Sequence, residues 1–193
     1  MIYKKKTVGI AASVILVVVV LGTFVWPNPV IQNQSFACAL TEGNPQGPYY
    51  IPGAPYKEKL GESLEGQKLV ISGQVLNQHC DAIPEAIVDV WQTDSNGNYN
   101  FEDFTLRGKI KADEYGMYKL ETIFPGKYSE AGAMRPAHIH LKVSAPGLVS
   151  HTTQLYFEGD KHHDFFVKPS LILKLDEKDG IKYSEFDFVI FTP

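Results

Sequence analysis

The stretch Ile87-Val88-Asp89-Val90-Trp91-Gln92-Thr93-Asp94-Ser95-Asn96-Gly97 places a strand pattern directly before a turn pattern. Its first six residues are rich in β-branched and aromatic side chains that alternate between two faces, which favours a strand. Residues 94–97 are all of types that favour turns. We therefore predict a strand over residues 87–92 that ends in a tight turn.

The same pairing of a short β pattern with a turn signal recurs along the chain. Further strands are predicted over residues 68–76, 107–112, 117–123, 137–145, 152–157 and 184–191. Residues 107–112 and 117–123 flank Asp113-Glu114-Tyr115-Gly116, which indicates a hairpin. Residues 41–55 contain several Gly and Pro and predict an extended, turn-rich arm. Many short strands with regular turns predict an all-β fold, either a β-sandwich or a barrel.

Composition excludes one class of partner. The chain has 193 residues, of which 44% are hydrophobic and 21% charged, and its formal net charge is -4. These values are ordinary for a globular domain. A chain without a basic excess lacks the surface that binds phosphate backbones, so we predict no nucleic-acid partner.

The N-terminus has the pattern of a membrane or export segment. Lys4, Lys5 and Lys6 precede an uncharged apolar run over residues 8–26. About 19 residues of helix would span roughly 28 Å, close to the hydrocarbon thickness of a bilayer. We predict a membrane anchor or signal segment over residues 1–26, a linker over 27–40 and an exported domain over 41–193. An uncleaved anchor is favoured, while a signal peptide cut after Ala37 and a lipoprotein signal ending at Cys38 stay open.

The chain has two cysteines, Cys38 and Cys80. In an oxidising compartment two thiols usually pair, and a bridge here would close a loop of about 43 residues. Such a bridge stabilises by roughly 3–4 kcal/mol if it acts through chain entropy. We predict this disulfide, with two unpaired thiols as the alternative.

The stretch Arg135-Pro136-Ala137-His138-Ile139-His140 carries two histidines at strand spacing. Residues i and i+2 of a strand point to the same side, so His138 and His140 would present two imidazoles on one face. This arrangement offers two ligands to one metal ion. Taken alone, such a pair is more often a polar, solvated stripe than a metal site.

The surroundings of the histidines resemble a known family. Upstream lie Phe124-Pro125-Gly126-Lys127-Tyr128 and the strand and turn that end at Tyr99. Downstream lies Thr152-Thr153-Gln154-Leu155-Tyr156-Phe157-Glu158-Gly159-Asp160, and the arm contains Gly47-Pro48-Tyr49-Tyr50-Ile51-Pro52-Gly53. Together these motifs resemble the intradiol ring-cleavage dioxygenases, over residues 41–191.

The resemblance implies a β-sandwich that binds non-haem Fe(III) and cleaves a catechol-type aromatic diol with O2 to a muconate-type diacid. The iron ligands of the family fall on Tyr99, Tyr128, His138 and His140. The arginine beside the substrate falls on Arg135, and the active-site glutamine falls on Gln154. Two phenolates suit the hard ferric ion, and Tyr128 is expected to be the ligand that a catechol displaces.

Two departures from the family leave questions open. Lys127 stands where many relatives have Pro, which alters the turn before Tyr128. The catechol enzymes carry an N-terminal helical region for dimerisation that the apolar segment replaces here, so the oligomeric state, including a homo-oligomer, stays open. His151, His162 and His163 fall on no ligand position and are predicted to be surface residues.

Two other functions compete with the iron enzyme. The first is an extracellular β-sandwich binding module without catalysis. The second is a protein that binds a different metal, such as zinc or copper, at His138 and His140. The complete set of four ligand positions argues against a decayed, non-catalytic site.

Overall fold

The computed structural model describes residues 37–130 and 132–193, and its regular structure is almost entirely β. The strands are β1 (Lys68–Asn77), β2 (Ile87–Gln92), β3 (Arg107–Lys111), β4 (Met117–Ile123), β5 (Tyr128–Glu130), β6 (Ala133–Arg135), β7 (His138–Ser144), β8 (His151–Phe157), β9 (Ile172–Leu173), β10 (Asp176–Lys178), β11 (Ile181–Glu185) and β12 (Phe188–Ile190). One 3-10 turn, Pro169–Leu171, is the only helical element among these residues. The predicted all-β class is confirmed for this part of the chain.

Two five-stranded sheets form the body of the domain. The first has the order β10-β11-β1-β12, with β4 also paired to β1, and the second has the order β3-β2-β7-β8-β9. Apolar side chains from both sheets share one core, including Leu69 and Ile71 of the first sheet and Val90, Ile139 and Leu141 of the second. Burial of such side chains is the main stabilising contribution, and the arrangement is a β-sandwich.

Successive side chains of β7 point alternately to its two faces, so that one face meets the core and the other meets the candidate site. Ile139 and Leu141 point into the core and are fully buried. His138 and His140 therefore point to the opposite face of the second sheet. The predicted placement of both imidazoles on one face is confirmed, since their ring centroids lie 4.8 Å apart.

An extended arm covers this outer face of the second sheet. The Asn44 amide donates to the Thr152 carbonyl at 3.0 Å, and Gln154 Nε2 donates to the Pro45 carbonyl at 2.9 Å. The Tyr50 hydroxyl donates to Asp89 of β2 at 2.9 Å. The predicted arm is thus confirmed as a non-helical segment, and it contributes to the burial of the histidines.

The hairpin predicted for residues 107–112 and 117–123 is wrong. The turn itself forms, because the Asp113 amide donates to the Met117 carbonyl and the Gly116 amide to the Asp113 carbonyl, each at 3.0 Å. However, β3 pairs with β2 while β4 pairs with β1, so the chain crosses between the sheets at this turn. Each strand pairs with a neighbour in its own sheet, and a local turn signal does not encode that choice.

The strand predicted over residues 184–191 is two strands. Both β11 and β12 run parallel to β1, with Ser72 opposite Glu185 and Val75 opposite Phe188. Between them the chain closes on Gly73, where a Cβ atom would lie 1.9 Å from the Phe186 carbonyl oxygen. The missing side chain at Gly73 permits this close approach, which interrupts the strand.

The predicted membrane anchor or signal segment over residues 1–26, and most of the linker, lie outside the described residues. No helix long and apolar enough to cross a membrane occurs among the residues that are described. A disulfide joins Cys38 to Cys80, with Cα atoms 5.3 Å apart. The amides of Ala37 and Cys38 both donate to the Gln78 carbonyl, at 3.0 and 3.2 Å, which fastens this segment to the loop after β1.

Candidate metal centre and substrate pocket

The two histidines of β7 face each other through their Nε2 atoms, which lie 3.1 Å apart. His138 Nδ1 lies 2.7 Å from the Pro136 carbonyl oxygen, which assigns the proton to Nδ1 and leaves a lone pair on Nε2. Burial lowers the pKa of His138 to about 4, and burial followed by the neighbouring His138 also lowers the pKa of His140. Both imidazoles are therefore neutral at pH 7, the form that binds metals.

This geometry fits a shared metal ion. Two imidazole nitrogens bound side by side to one metal at about 2.0–2.1 Å would lie about 3 Å apart. His140 Nδ1 is buried and has no hydrogen-bond partner. No contact at Nδ1 therefore forces the proton of this ring onto Nε2, the atom that faces His138. A cation between the two Nε2 atoms would stabilise the lone pairs that His138 and His140 direct at each other.

Tyr99 is delivered to the histidines by a turn at the end of β2. Asp94 organises this turn, because its Oδ1 accepts from the amides of Asn96 at 2.9 Å and Asn98 at 2.8 Å. The Tyr99 hydroxyl is buried and has no hydrogen-bond partner. Burial, and then the nearby Tyr128 hydroxyl, raise the pKa of Tyr99 well above its usual value. An unpartnered buried hydroxyl is costly unless something binds it.

Tyr128 enters from the start of β5, and its ring centroid lies 5.4 Å from that of Tyr99 and 5.5 Å from that of His138. Burial raises the pKa of Tyr128 to about 12, although Arg135 opposes the shift. Without a cation both tyrosines are neutral phenols at pH 7. A multivalent cation would convert them to phenolates, so two neutral nitrogens and two phenol oxygens fit a hard trivalent metal.

Arg135 is fixed beside this cluster by two hydrogen bonds and a longer ion pair. Its Nε donates to Asp164 at 2.5 Å, one terminal nitrogen donates to Gln154 Oε1 at 2.8 Å, and the other lies 3.7 Å from Glu130. The guanidinium carbon lies 6.0 Å from the centre of the Tyr128 ring. Gln154 therefore orients Arg135.

The two tyrosines form part of the wall of an opening with a volume of about 430 Å³. Tyr49 of the arm stacks on Tyr99 with centroids 4.1 Å apart and planes inclined by 10°, and it meets the edge of Tyr128 at 5.6 Å. A planar aromatic ring fits such a wall of aromatic faces. Phe101 and Met134 line the outer rim.

The six residues predicted for metal binding and catalysis come together in one place, but some of their supporting residues were missed. Arg107, at the start of β3, is almost fully buried and donates to the Tyr49 carbonyl at 2.6 Å and to the Asn100 carbonyl at 3.0 Å. The Tyr156 hydroxyl also supports the cluster, because it donates to Gln154 at 2.9 Å. No sequence pattern marks these residues, because their partners are distant in the chain.

The remaining histidines differ from one another. His162 and His163 are exposed, as predicted. His151 is half-buried instead of a surface residue, and burial lowers its pKa. It lies against the arm, where Gly43 packs close to its ring.

The chain is similar in sequence to known dioxygenases. The sequence model of the family described as "Dioxygenase" matches residues 46–191. A chlorocatechol 1,2-dioxygenase of Pseudomonas putida is 33% identical over 171 residues, which cover 75% of this chain and 66% of the relative. The intradiol ring-cleavage dioxygenase prcA of Aspergillus niger is 30% identical over 73% of this chain and 54% of the relative.

Solved structures show the same fold. The dioxygenase domain of a dioxygenase and carbohydrate-binding fusion from Streptomyces sp. SirexAA-E matches with a TM-score of 0.75 and 32% identity, over 80% of this chain and 100% of that one. The 3-chlorocatechol 1,2-dioxygenase of Rhodococcus opacus 1CP matches with a TM-score of 0.72 and 32% identity, over 79% and 73%.

The fold is that of a ring-cleavage dioxygenase. The chain belongs to the intradiol ring-cleavage dioxygenase family. It spans about half to two thirds of the length of several relatives, such as the 66% and 54% given above.

Proposed function

We propose that this protein is an Fe(III)-dependent dioxygenase that opens a catechol-type ring with O2 between its two hydroxylated carbons, giving a muconate-type diacid. The observation that carries the proposal is the convergence of the two histidine Nε2 atoms, 3.1 Å apart, beside the tyrosine pair. The names of the relatives, which include chlorocatechol and catechol 1,2-dioxygenases, support it.

Tyr99, Tyr128, His138 and His140 would hold the iron. When bound, the ferric ion would supply the Lewis acidity that binds both catechol oxygens and makes the ring reactive toward O2. The protein contributes neutral imidazoles, two phenol oxygens and a partly buried surrounding in which these groups stay fixed.

Tyr128 is the proposed proton acceptor. A catechol that binds as a dianion gives up two protons, of which one would go to the Tyr128 phenolate and the other to a hydroxide from solvent. Tyr99 lies under the stacked ring of Tyr49 and after a turn fixed by Asp94. With the metal bound as proposed, Tyr128 would be the oxygen released on protonation and Tyr99 the one retained.

Arg135 supplies a permanent positive charge near the substrate. A guanidinium keeps its proton at any working pH, and its two side-chain partners, Asp164 and Gln154, hold it in one orientation. Negative charge that develops on the substrate as O2 adds is stabilised by such a fixed cation in a partly dry site.

Metal content and colour test the proposal together. Protein expressed with iron should contain about one Fe per chain and absorb visible light through tyrosinate-to-Fe(III) charge transfer. Tyr128→Phe should shift this band and abolish catechol-dependent O2 uptake, and His140→Ala should lose the metal. Tyr183→Phe on β11 and His79→Ala on the loop after β1 are matched controls that should keep both properties.

The outcome separates the proposal from its alternatives. A colourless protein that retains zinc after iron-replete expression would favour a different metal at the histidines. A colourless protein that binds no metal would favour a binding module. Catechol cleavage that survives Tyr128→Phe and His140→Ala would show that the ligand assignment is wrong.

We also propose that the domain works outside the cytoplasm, either tethered by residues 8–26 or released after signal cleavage. The disulfide between Cys38 and Cys80 supports this, because such bonds persist in oxidising compartments. Protease treatment of intact cells tests it: digestion of the domain is expected, and full protection would contradict an exported location.

A further inference from the structure

The opening above the tyrosines carries very little charge. Among the described residues that line it, Lys127 alone has a charged side chain. The other positions of the rim are aromatic, apolar or neutral, with Phe101 and Met134 at the outside and Asn98 and Ser129 between. The charge of Lys127 therefore determines whether an ionised substituent on a substrate is attracted to the opening.

Lys127 is already neutralised by a partner. Its Nζ lies 2.7 Å from Asp160 Oδ1, and the Asp160 side chain is only 6% exposed. The same nitrogen lies 3.1 Å from His162 Nδ1. The Lys127 side chain is 38% exposed, but a substrate carboxylate would still have to share the lysine with a carboxylate that already lies 2.7 Å from it.

The two arginines near the opening also have partners within the protein. Arg135 contacts Asp164 at 2.5 Å and Glu130 at 3.7 Å. Arg107 uses its donors on the carbonyls of Tyr49 and Asn100, at 2.6 and 3.0 Å. Each guanidinium thus already has acceptors of the protein as partners.

Glu130 adds a negative charge behind the opening, because its carboxylate lies 3.7 Å from Arg135, next to the Tyr128 ring. An anionic substituent would approach a like charge there. Phe101 and Met134, which are 59% and 48% exposed, instead offer apolar contact surface to an uncharged substituent.

We propose that the site selects catechols with neutral, apolar ring substituents and discriminates against catechols that carry a carboxylate. The selection rests on the proposed function, and it assigns Phe101, Met134 and the Lys127–Asp160 pair as its determinants.

A matched pair of substrates tests the selection. The iron-loaded protein is assayed with catechol, 4-methylcatechol and 3,4-dihydroxybenzoate, the last two differing in a methyl against a carboxylate at one position. We expect kcat/KM for 4-methylcatechol to exceed that for 3,4-dihydroxybenzoate by about 100-fold, the size expected for an unpaired charge near a like charge. Calorimetric titration without O2 should give the same order of Kd values.

A substitution that adds a positive charge to the rim tests the same selection, and a second substitution serves as its control. Met134→Lys places an unpaired cation at the opening and should raise the 3,4-dihydroxybenzoate to 4-methylcatechol ratio of kcat/KM by about 10-fold, whereas Met117→Lys, at an exposed position of β4 that does not line the opening, should leave that ratio unchanged. Equal or better use of 3,4-dihydroxybenzoate by the natural protein would overturn the selection while leaving the proposed function intact. Failure to cleave any of the three catechols would overturn the proposed function, and the selection with it.

Discussion

Gly97 and Gly126 lie back to back, so that a Cβ atom on Gly126 would stand 2.3 Å from the Gly97 backbone nitrogen. Gly97 precedes Tyr99 by two residues, and Gly126 precedes Tyr128 by two residues. The Gly126 amide also donates to the Asp94 carbonyl at 2.7 Å. The contact between the two turns therefore sets the separation of the two tyrosines, and neither turn has room for a side chain there.

Gly126→Ala should separate the turns and displace Tyr128 from Tyr99. We expect destabilisation by about 1–3 kcal/mol from the overlap, together with a loss of iron affinity of at least about 10-fold. Metal content and the visible absorption band measure the second effect. Gly43→Ala is the matched control, because a Cβ atom there meets its neighbours at an ordinary 3.5 Å. Full iron binding by Gly126→Ala would show that the contact does not position the tyrosines.

Arg107→Met should loosen both the arm and the loop after Tyr99. The change leaves the carbonyls of Tyr49 and Asn100 without their donor, at an expected cost of about 2–4 kcal/mol in the free energy of unfolding. Because Tyr49 stacks on Tyr99, we also expect a shifted charge-transfer band and a raised KM for catechol. Lys111→Met on the same strand is exposed and serves as the control. An unchanged band and KM would contradict a positioning role for Arg107.

Removing the disulfide should lower stability without removing the metal. The bond joins residues separated by 42 positions, and a loop of that length corresponds to roughly 3–4 kcal/mol in the chain-entropy treatment. Urea unfolding of the Cys38→Ser, Cys80→Ser double variant measures the loss. Neither cysteine belongs to the candidate metal centre, so the visible band should persist. A difference below about 1 kcal/mol would mean that the bond adds little to folding.

Asp160→Asn should weaken the link between the Tyr128 turn and the His strand in a pH-dependent way. Burial alone would raise the pKa of Asp160, but hydrogen bonds from Lys127 and from the amides of His162 and Ala137 lower it below its ordinary value. The ionised carboxylate therefore stabilises the fold above the unfolded pKa of about 3.9, and this contribution is lost as pH falls through the lowered folded pKa.

Urea unfolding of the natural protein and of Asp160→Asn between about pH 7 and pH 3 measures that contribution. At pH 7 the natural protein should be more stable by about 1–3 kcal/mol, and the difference should narrow toward pH 3. Asp176→Asn, at an exposed position on β10, should show little difference at either pH. If the difference in unfolding free energy between the two proteins does not change with pH, the effect of Asp160 comes from packing instead of charge.

Alternation along the chain predicted much of the fold. The strands predicted over residues 87–92 and 117–123 have the bounds of β2 and β4, because buried and exposed side chains alternate or cluster clearly there. The same alternation placed His138 and His140 on one face. The crossing between β3 and β4 escaped prediction, since the turn at Asp113 is compatible with strands in one sheet or in two.

The tyrosines and their supports show the limit of local patterns. Tyr99 and Tyr128 were assigned only through the family resemblance, because their approach depends on two turns that are about 30 residues apart in the chain and meet through backbone atoms. Arg107 was not identified at all. Its acceptors are backbone carbonyls, which no sequence pattern reveals, and only the folded chain brings the Tyr49 carbonyl to it.

Product analysis tests the central claim most directly. The iron-loaded protein is given catechol and isotope-labelled O2, and the O2 consumed and the ring-opened product are measured. We predict that one O2 is consumed per catechol and that both labelled atoms appear in a muconate-type diacid. A product opened outside the two hydroxylated carbons, or no O2 uptake by protein that holds its full complement of iron, would contradict the assignment.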